Sequence, residues 1–232
     1  SVLTKNGSFT ADIVVGAADY HHIDQRISSP EYREYTPKYW ENRKMAPSSL
    51  LFYLGIKGEV PNVLHHNLLF DHELDQHAHE IYTDPKWPNK PLFYASAPTK
   101  TDSSIAPECC ENMFLLMPTA PGMEGYTEEV REKYYNLMMD RLEAFTGSSI
   151  RDRVVVKRSF AHADFVSNYH SFKGNAYGLA NTLDQTAILK PRLKSKKVTN
   201  LYLAGQLTSQ GPGVQPSLIS GEVVSKEIAK DY

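Results

Sequence analysis

Asn200-Leu201-Tyr202-Leu203-Ala204-Gly205-Gln206-Leu207-Thr208-Ser209-Gln210-Gly211-Pro212-Gly213-Val214-Gln215-Pro216-Ser217-Leu218-Ile219-Ser220-Gly221 is the stretch from which the rest of the chain is read. Leu201 to Ala204 is an apolar run of strand length, and Gly205 ends it. Gly211 and Gly213 frame a turn that needs permissive backbone angles. From Val214 onward the pattern is helical, with Pro216 in the first turn, where its missing N–H costs little. A strand, a glycine turn and a helix N-terminus in that order turn backbone N–H groups towards one spot. Such a spot suits an anion or an electron-rich ring edge. A buried connection that holds no ligand has the same spacing.

Working outward, the last helix runs from Val214 to about Ala229. Val214, Leu218, Val224 and Ile228 give it apolar spacing, while Ser217, Ser220 and Gly221 leave one side thin enough for something flat to lie against. At the other end of the chain, Asn6-Gly7 marks a hairpin between Leu3-Thr4 and Ser8-Phe9. Phe9 to Val15 reads as a strand, and Ile13-Val14-Val15 suggests burial on both faces. Tyr20 to Ile27 reads as a short helix broken by Ser28-Ser29-Pro30. Tyr32, Tyr35, Tyr39 and Trp40 are either a surface for lipid or apolar substrate or a helix packed on the core; the packed helix is the favoured reading.

Ser49–Ile56, Val63–Phe70, Leu92–Ala95 and Met113–Met117 read as strands of a mainly antiparallel sheet, and Arg153–Phe160 as a further strand. One apolar face of the sheet can line a cavity for an apolar ligand. Asp71 is placed as the N-cap of a helix to about Ile81. Thr127 caps a helix to Phe145, with Val130, Tyr134, Leu137, Met138, Leu142 and Phe145 on one face and Gly147 as its stop.

The chain has 232 residues, 41% hydrophobic and 22% charged, with a formal net charge of -2, so it lacks the basic excess of a nucleic-acid binder. Cys109 and Cys110 are adjacent and too few for a disulfide framework, which fits a reducing, cytoplasmic setting. An inert pair is the expectation, with a redox role for Cys110 as the alternative. No apolar run approaches the roughly 20 residues of a membrane span, and Ser1 to Gly7 lacks a signal-peptide pattern. His65-His66 and His77-Ala78-His79 diverge on a strand or a helix, so no metal site is expected. The run Lys190, Arg192, Lys194, Lys196 and Lys197 reads as a solvated loop, with contact to anionic lipid as the sharper alternative.

Several blocks together resemble the bacterial-type phytoene desaturases, FAD-dependent carotenoid desaturases among the amine-oxidase-like flavoproteins. They are Leu-Tyr-Leu-Ala-Gly at 201–205 with Gly211-Pro-Gly-Val, Lys173-Gly-Asn-Ala-Tyr-Gly-Leu through Gln185-Thr-Ala and Lys190-Pro191, Thr101-Asp-Ser-Ser-Ile-Ala-Pro-Glu, and Ala11-Asp-Ile-Val-Val with Ala18-Asp19. The resemblance spans nearly the whole chain in the family's order. It implies an α/β fold: an α+β substrate domain with a mainly antiparallel sheet, plus the closing strand and helix of a Rossmann-like FAD domain. The expected division is 1–19 and 171–232 in the FAD domain and 20–170 in the substrate domain. The family's opening Gly-x-Gly-x-x-Gly turn is not in this sequence, so the expectation is a C-terminal portion, inactive without an N-terminal FAD-domain half.

The resemblance further implies that Gly205, Gln206, Gly211, Gly213, Val214 and Gln215 border FAD. Two positions depart from the pattern. Gln206 stands where many of these flavoproteins have an acid, and Gln215 where a proline is common. Asp102 is the implied acid/base residue for desaturation; an Asx-turn opening a loop is its other reading. Asp164 and His162 are weaker candidates. The substrate would be a linear, phytoene-like carotenoid precursor, taken up by a peripheral protein at a membrane surface. A polyene isomerase or saturase on the same scaffold, or a non-catalytic isoprenoid-binding fragment, shares these features.

Overall fold

The structure, a computed structural model, describes Ser1–Tyr232. In chain order it has β1 (Val2–Thr4), β2 (Gly7–Phe9), β3 (Val14–Gly16) and α1 (Tyr20–His22), which continues as a π-turn over Ile23–Ile27. Then come α2 (Pro37–Glu41), β4 (Ser48–Lys57), β5 (His66–Leu69), α3 (Leu74–Tyr82), β6 (Phe93–Ser96) and β7 (Cys110–Thr119). The chain ends with α4 (Glu128–Thr146), β8 (Val154–Phe160), α5 (His162–Tyr169), β9 (Leu201–Leu203) and α6 (Val214–Asp231). The mixed α/β class is as expected. Two compact units form, one from residues 1–46 and 166–232, the other from 47–165. Residues 20–46, read above with the central segment, pack in the first unit because Trp40 is buried there among Tyr20, Ile23, Leu179, Leu203 and Leu207.

In the first unit β1 and β2 form the Asn6-Gly7 hairpin, and Thr4 Oγ1 accepts from Asn6 N at 3.1 Å. β3 runs parallel to β9, with Val14 opposite Leu201 and Gly16 opposite Leu203. A Cβ at Gly16 would stand 2.7 Å from Ile23 Cδ1, so the glycine leaves room at the strand end for the Ile23 side chain. Residues 193–195 line the other edge of β9: Leu203 N donates to Leu193 O and Ser195 N to Leu201 O. The expected burial of Val15 on both faces is corrected. Val15 is half exposed, because β3 pairs with β9 alone and one face of that pair is uncovered.

The aromatic stretch packs on the core, as favoured. Tyr35 and Tyr39 stack at 4.1 Å, and only Tyr32 is exposed. Buried Asp24 holds this corner by accepting from Trp40 Nε1 (2.9 Å), Glu34 N (2.6 Å) and Gln25 Nε2 (2.7 Å). Polar side chains in the 173–191 block act as clips. Asn175 Oδ1 accepts from Gly178 N at 2.6 Å, and Gln185 bonds both Lys44 backbone groups and Ala180 O.

The second unit is an antiparallel sheet in the order β5-β6-β7-β4-β8. Strict alternation assigns the faces. Leu50, Phe52, Leu54, Ile56, Met113, Leu115 and Met117 point into a core shared with Tyr134, Tyr135, Met138, Met139 and Leu142 of α4. Thr127 Oγ1 accepts from Val130 N, and Gly147 (φ 67°) ends the helix. The predicted helix face is shifted. Phe145 is exposed, whereas Tyr135, Met139 and Thr146 are buried, because Tyr135 packs on Phe52 with 5.3 Å between centroids. Asp71 does not cap α3. Glu73 stands there without a side-chain cap, and Asp71 is drawn to Arg141 of α4 instead. β5 is shorter than predicted, because the Asn67 side chain folds 64–67 into a turn by accepting from Leu64 N (2.9 Å) and donating to Leu64 O (2.7 Å).

Candidate functional site

The glycine turn lies at the carboxyl ends of the parallel pair, where β3 delivers Gly16 and β9 delivers Gly205. Ala204 N donates to Gly16 O at 3.0 Å, so the two ends are side by side. This is where open α/β sheets receive ligands. Part of the turn is spent on its own fold. Gly205 N donates to Ser220 Oγ (2.8 Å), Thr208 N and Oγ1 both donate to Gly205 O, and Gly211 N donates to Thr208 O. The sequence reading turns the amides of this stretch towards one spot. Those of Gly205 and Gly211 are already paired.

The free donors are at the start of α6. Gly213 (φ 111°) precedes the helix and has no side chain to cap it; Pro216 lacks an N–H and Ser217 N donates to Gly213 O, so the open donors are the amides of Val214 and Gln215. Val214 and Leu218 are 75% and 70% exposed, so the apolar spacing of α6 splits. Val224 packs inward with Ser220, while Val214 and Leu218 face out beside Gly221. A Cβ at Gly205 or Gly221 would meet nothing within 4 Å. A thin, apolar, amide-tipped surface is therefore open here. Gln206 is half-buried, and its backbone oxygen lies 2.8 Å from where a Gly178 Cβ would be. Gly178 (φ 83°) thus has to be glycine for the two loops to touch.

The basic run is not uniformly solvated. Lys190 is only 4% exposed; its Nζ donates to Asn181 Oδ1 at 2.6 Å and abuts Gly211, where a Cβ would stand 2.8 Å away. Burial lowers its pKa. Lys194 pairs with Asp231 at 2.6 Å, beside Tyr202 Oη. Lys196 and Lys197 are exposed, as a solvated loop requires. Spacing alone gave no sign of Lys190; Pro191 after it is the one hint that this end of the run is held.

Asp102 lies in the second unit, on the turn before Ser103–Ile105. Its Oδ1 accepts from Ser104 N (2.9 Å) and Ser104 Oγ (2.6 Å), and these bonds hold its carboxyl below the usual range. It is therefore an Asx cap, exposed to solvent and ionised. Asp164 is committed to Arg131 (3.0 Å) and to Ala161 N (2.8 Å), and His162 stacks on Tyr126. No group of three or more His, Cys, Asp or Glu could hold a metal ion, and no helix is long and apolar enough to cross a membrane.

The sheet face opposite the core of the second unit is apolar as well. Register places Leu68 beside Tyr94, Tyr94 beside Leu116, and Tyr53 beside Phe114 and Arg158. His66 Nδ1 meets Tyr94 Oη at 2.5 Å on the same face.

The arrangement is shared with an oxidoreductase. The chain follows one from Methanosarcina mazei with a TM-score of 0.55, over 96% of this chain and 44% of that one; at 12% identity the likeness is one of fold alone. No protein-family model matches the chain. Among sequences, a carotenoid 3,4-desaturase of Haloarcula japonica is 38% identical over 99% of this chain and 46% of its own length. A zeta-carotene-forming phytoene desaturase of Myxococcus xanthus is 29% identical over 94% of this chain and 42% of its own length. A 4,4'-diapophytoene desaturase of Staphylococcus haemolyticus is 29% identical over 95% and 45%. The chain is thus a relative of the phytoene-type carotenoid desaturases, and it spans less than half the length of the curated relatives it matches.

Proposed function

We propose that the chain forms part of an FAD-dependent carotenoid desaturase acting on a linear, phytoene-like precursor. The observation that carries the reading is the uncapped start of α6, set at the carboxyl ends of β3 and β9 in a chain related throughout to carotenoid desaturases. The residues present fit the cofactor: first-turn amides without a side-chain cap, glycines facing open space at 205 and 221, and a buried cation at 190. Gly205, Gln206, Gly211, Gly213, Val214 and Gln215 border it in this reading. Bound there, FAD supplies the acceptor for the hydride that desaturation removes. A nucleotide-binding half completes the pyrophosphate site, and the isolated chain is inactive.

The protein's own residues do the rest. The positive end of α6 favours negative charge at the turn. The uncovered apolar face of the second unit's sheet takes the hydrocarbon. Asp102 is the candidate to receive the proton lost from the carbon next to the hydride donor; the bonds from Ser104 keep it ionised and at the same time make it a weaker base. The substrate comes from a membrane surface that the protein touches peripherally, with Tyr32, Lys196 and Lys197 as exposed candidates for that contact.

The test is an anaerobic single turnover of the full-length, FAD-loaded protein, nucleotide-binding half included, with phytoene. Bleaching of the oxidised flavin together with a lengthened polyene chromophore is the expected result. A flavin that stays oxidised over an unchanged polyene spectrum rejects the desaturase. A changed polyene with no net oxidation supports isomerisation instead.

A further inference from the structure

Lys190 is a buried ammonium with no counter-ion. It is 4% exposed, and its one hydrogen bond goes to the neutral amide of Asn181 at 2.6 Å. An ammonium has three donors, so two remain unused. Burying a charge in this way is costly unless something answers it. The other basic side chains nearby behave differently: Lys194 finds Asp231, and Lys173 finds Glu41.

The place of the charge narrows what answers it. Its Nζ lies against Gly211, within the turn that opens α6, 2.8 Å from where a Cβ would stand. Gly211 (φ 89°) therefore admits both a strained turn and the lysine head. Two residues on, the first-turn amides of α6 carry no side-chain cap. A buried cation and a positive helix end on one turn are redundant in an empty loop. They are complementary to a ligand that carries or gains negative charge.

Building on the FAD reading above, we propose that Lys190 is the positioning cation of the cofactor site. It answers the negative charge that the flavin gains on reduction and so raises the flavin's reduction potential. Asn181 holds the ammonium in place, and Gly211 gives it room.

A purely structural role, in which Lys190 ties residues 181–190 to the turn, would lower stability without distinguishing the two redox states. The experiment is a spectroelectrochemical titration of the FAD-loaded protein as wild type, Lys190→Met and Asn181→Asp. Lys190→Met keeps the aliphatic stem and removes the charge. It should weaken binding of reduced FAD at least tenfold more than that of oxidised FAD, a fall of about 30 mV in the two-electron potential. Asn181→Asp neutralises the ammonium from an exposed position and should lower the potential in the same direction, which keeps the test open if Lys190→Met does not fold. An unchanged potential in both variants, or in Asn181→Asp alone when Lys190→Met is unfolded, overturns the role of Lys190 and leaves the flavin reading standing. Failure of the wild-type protein, with its nucleotide-binding half present, to take up FAD overturns both.

Discussion

The amide of Gly205 donates to the hydroxyl of Ser220, 2.8 Å away, and Ser220 Oγ in turn donates to Ser217 O at 2.6 Å. One buried hydroxyl thereby fastens the end of β9 to the second turn of α6 and fixes where the helix tip points. Ser220→Ala orphans a backbone N–H that water reaches poorly. It should cost about 1–3 kcal/mol, read from the urea midpoint. Ser225→Ala, on the exposed side of the same helix, should stay within about 0.5 kcal/mol of wild type. Equal effects would show that the clasp does not hold the helix.

Two glycines that look alike in the sequence should behave differently. Gly178 (φ 83°) has Gln206 backbone oxygen 2.8 Å from the position of an added Cβ, and backbone cannot easily yield. Gly205 (φ 117°) has nothing within 4 Å. Gly205→Ala should cost about 1–3 kcal/mol in backbone strain. Gly178→Ala should carry the same strain plus about 1–3 kcal/mol of overpacking. Denaturant melts rank them. If Gly205 borders the cofactor, its alanine variant should also lose FAD affinity out of proportion to its stability.

Asp19 and His21 pull stability in opposite directions with pH. Burial raises the Asp19 carboxyl from 3.8 to about 6, although it accepts from His22 N and Phe172 N. The folded state then holds a proton that the unfolded chain has released, so this group's contribution falls as pH rises from about 4 to 6. Burial lowers His21 from 6.5 to about 4, and His22 also moves down. There the unfolded chain binds more protons, so stability falls as pH drops below 6.5. The two slopes oppose each other over one window. Asp19→Asn should make stability rise more steeply from pH 4 to 6.5, and His21→Phe should make it flatter or falling. Chemical denaturation across that range checks the signs.

Much of the fold was legible because local rules acted alone. The Asn6-Gly7 hairpin, the Thr127 and Gly147 limits of α4, and the apolar runs of β4 and β7 each depend on near neighbours. The misses were tertiary. Asp71 has the chemistry of an N-cap, but an arginine seventy residues away claims it. Val15 has the apolarity of a buried strand, but only β9 lies beside it. Phe145 fits the helical period, yet Tyr135 and Phe52 set which side of α4 faces in. At the candidate site the glycine turn was readable as a turn. That Ser220 satisfies Gly205, and that Lys190 is buried in a run of exposed lysines, depends on contacts no spacing encodes.

Asp102 separates two roles that share one side chain. Asparagine keeps an oxygen able to accept from Ser104 N, so Asp102→Asn preserves the turn and removes the charge. If Asp102 receives the proton, turnover should fall about 10²–10⁴-fold, with FAD binding and the melting temperature unchanged. Asp102→Ala should add a loss of about 1 kcal/mol from the missing cap. Turnover in Asp102→Asn equal to wild type would leave the residue as a cap only.

The apolar sheet face makes the sharpest contrast between neighbouring leucines. Leu68, 64% exposed on β5, stands beside Tyr94 and through it Leu116; Leu64, also exposed, precedes the strand and is outside its pairing register. Neither supports the core, so glutamate at either position should change stability by no more than about 0.5 kcal/mol. A polyene lying on the face would bury Leu68, and such burial is worth about 1.5–3 kcal/mol. Leu68→Glu should therefore weaken substrate binding by about one to two orders of magnitude, and Leu64→Glu should leave it as in wild type. Quenching of tryptophan fluorescence by a polyene delivered in detergent micelles reads both. Parallel losses at 64 and 68 would point to general repulsion of the micelle, and no loss at 68 would remove this face from the substrate path.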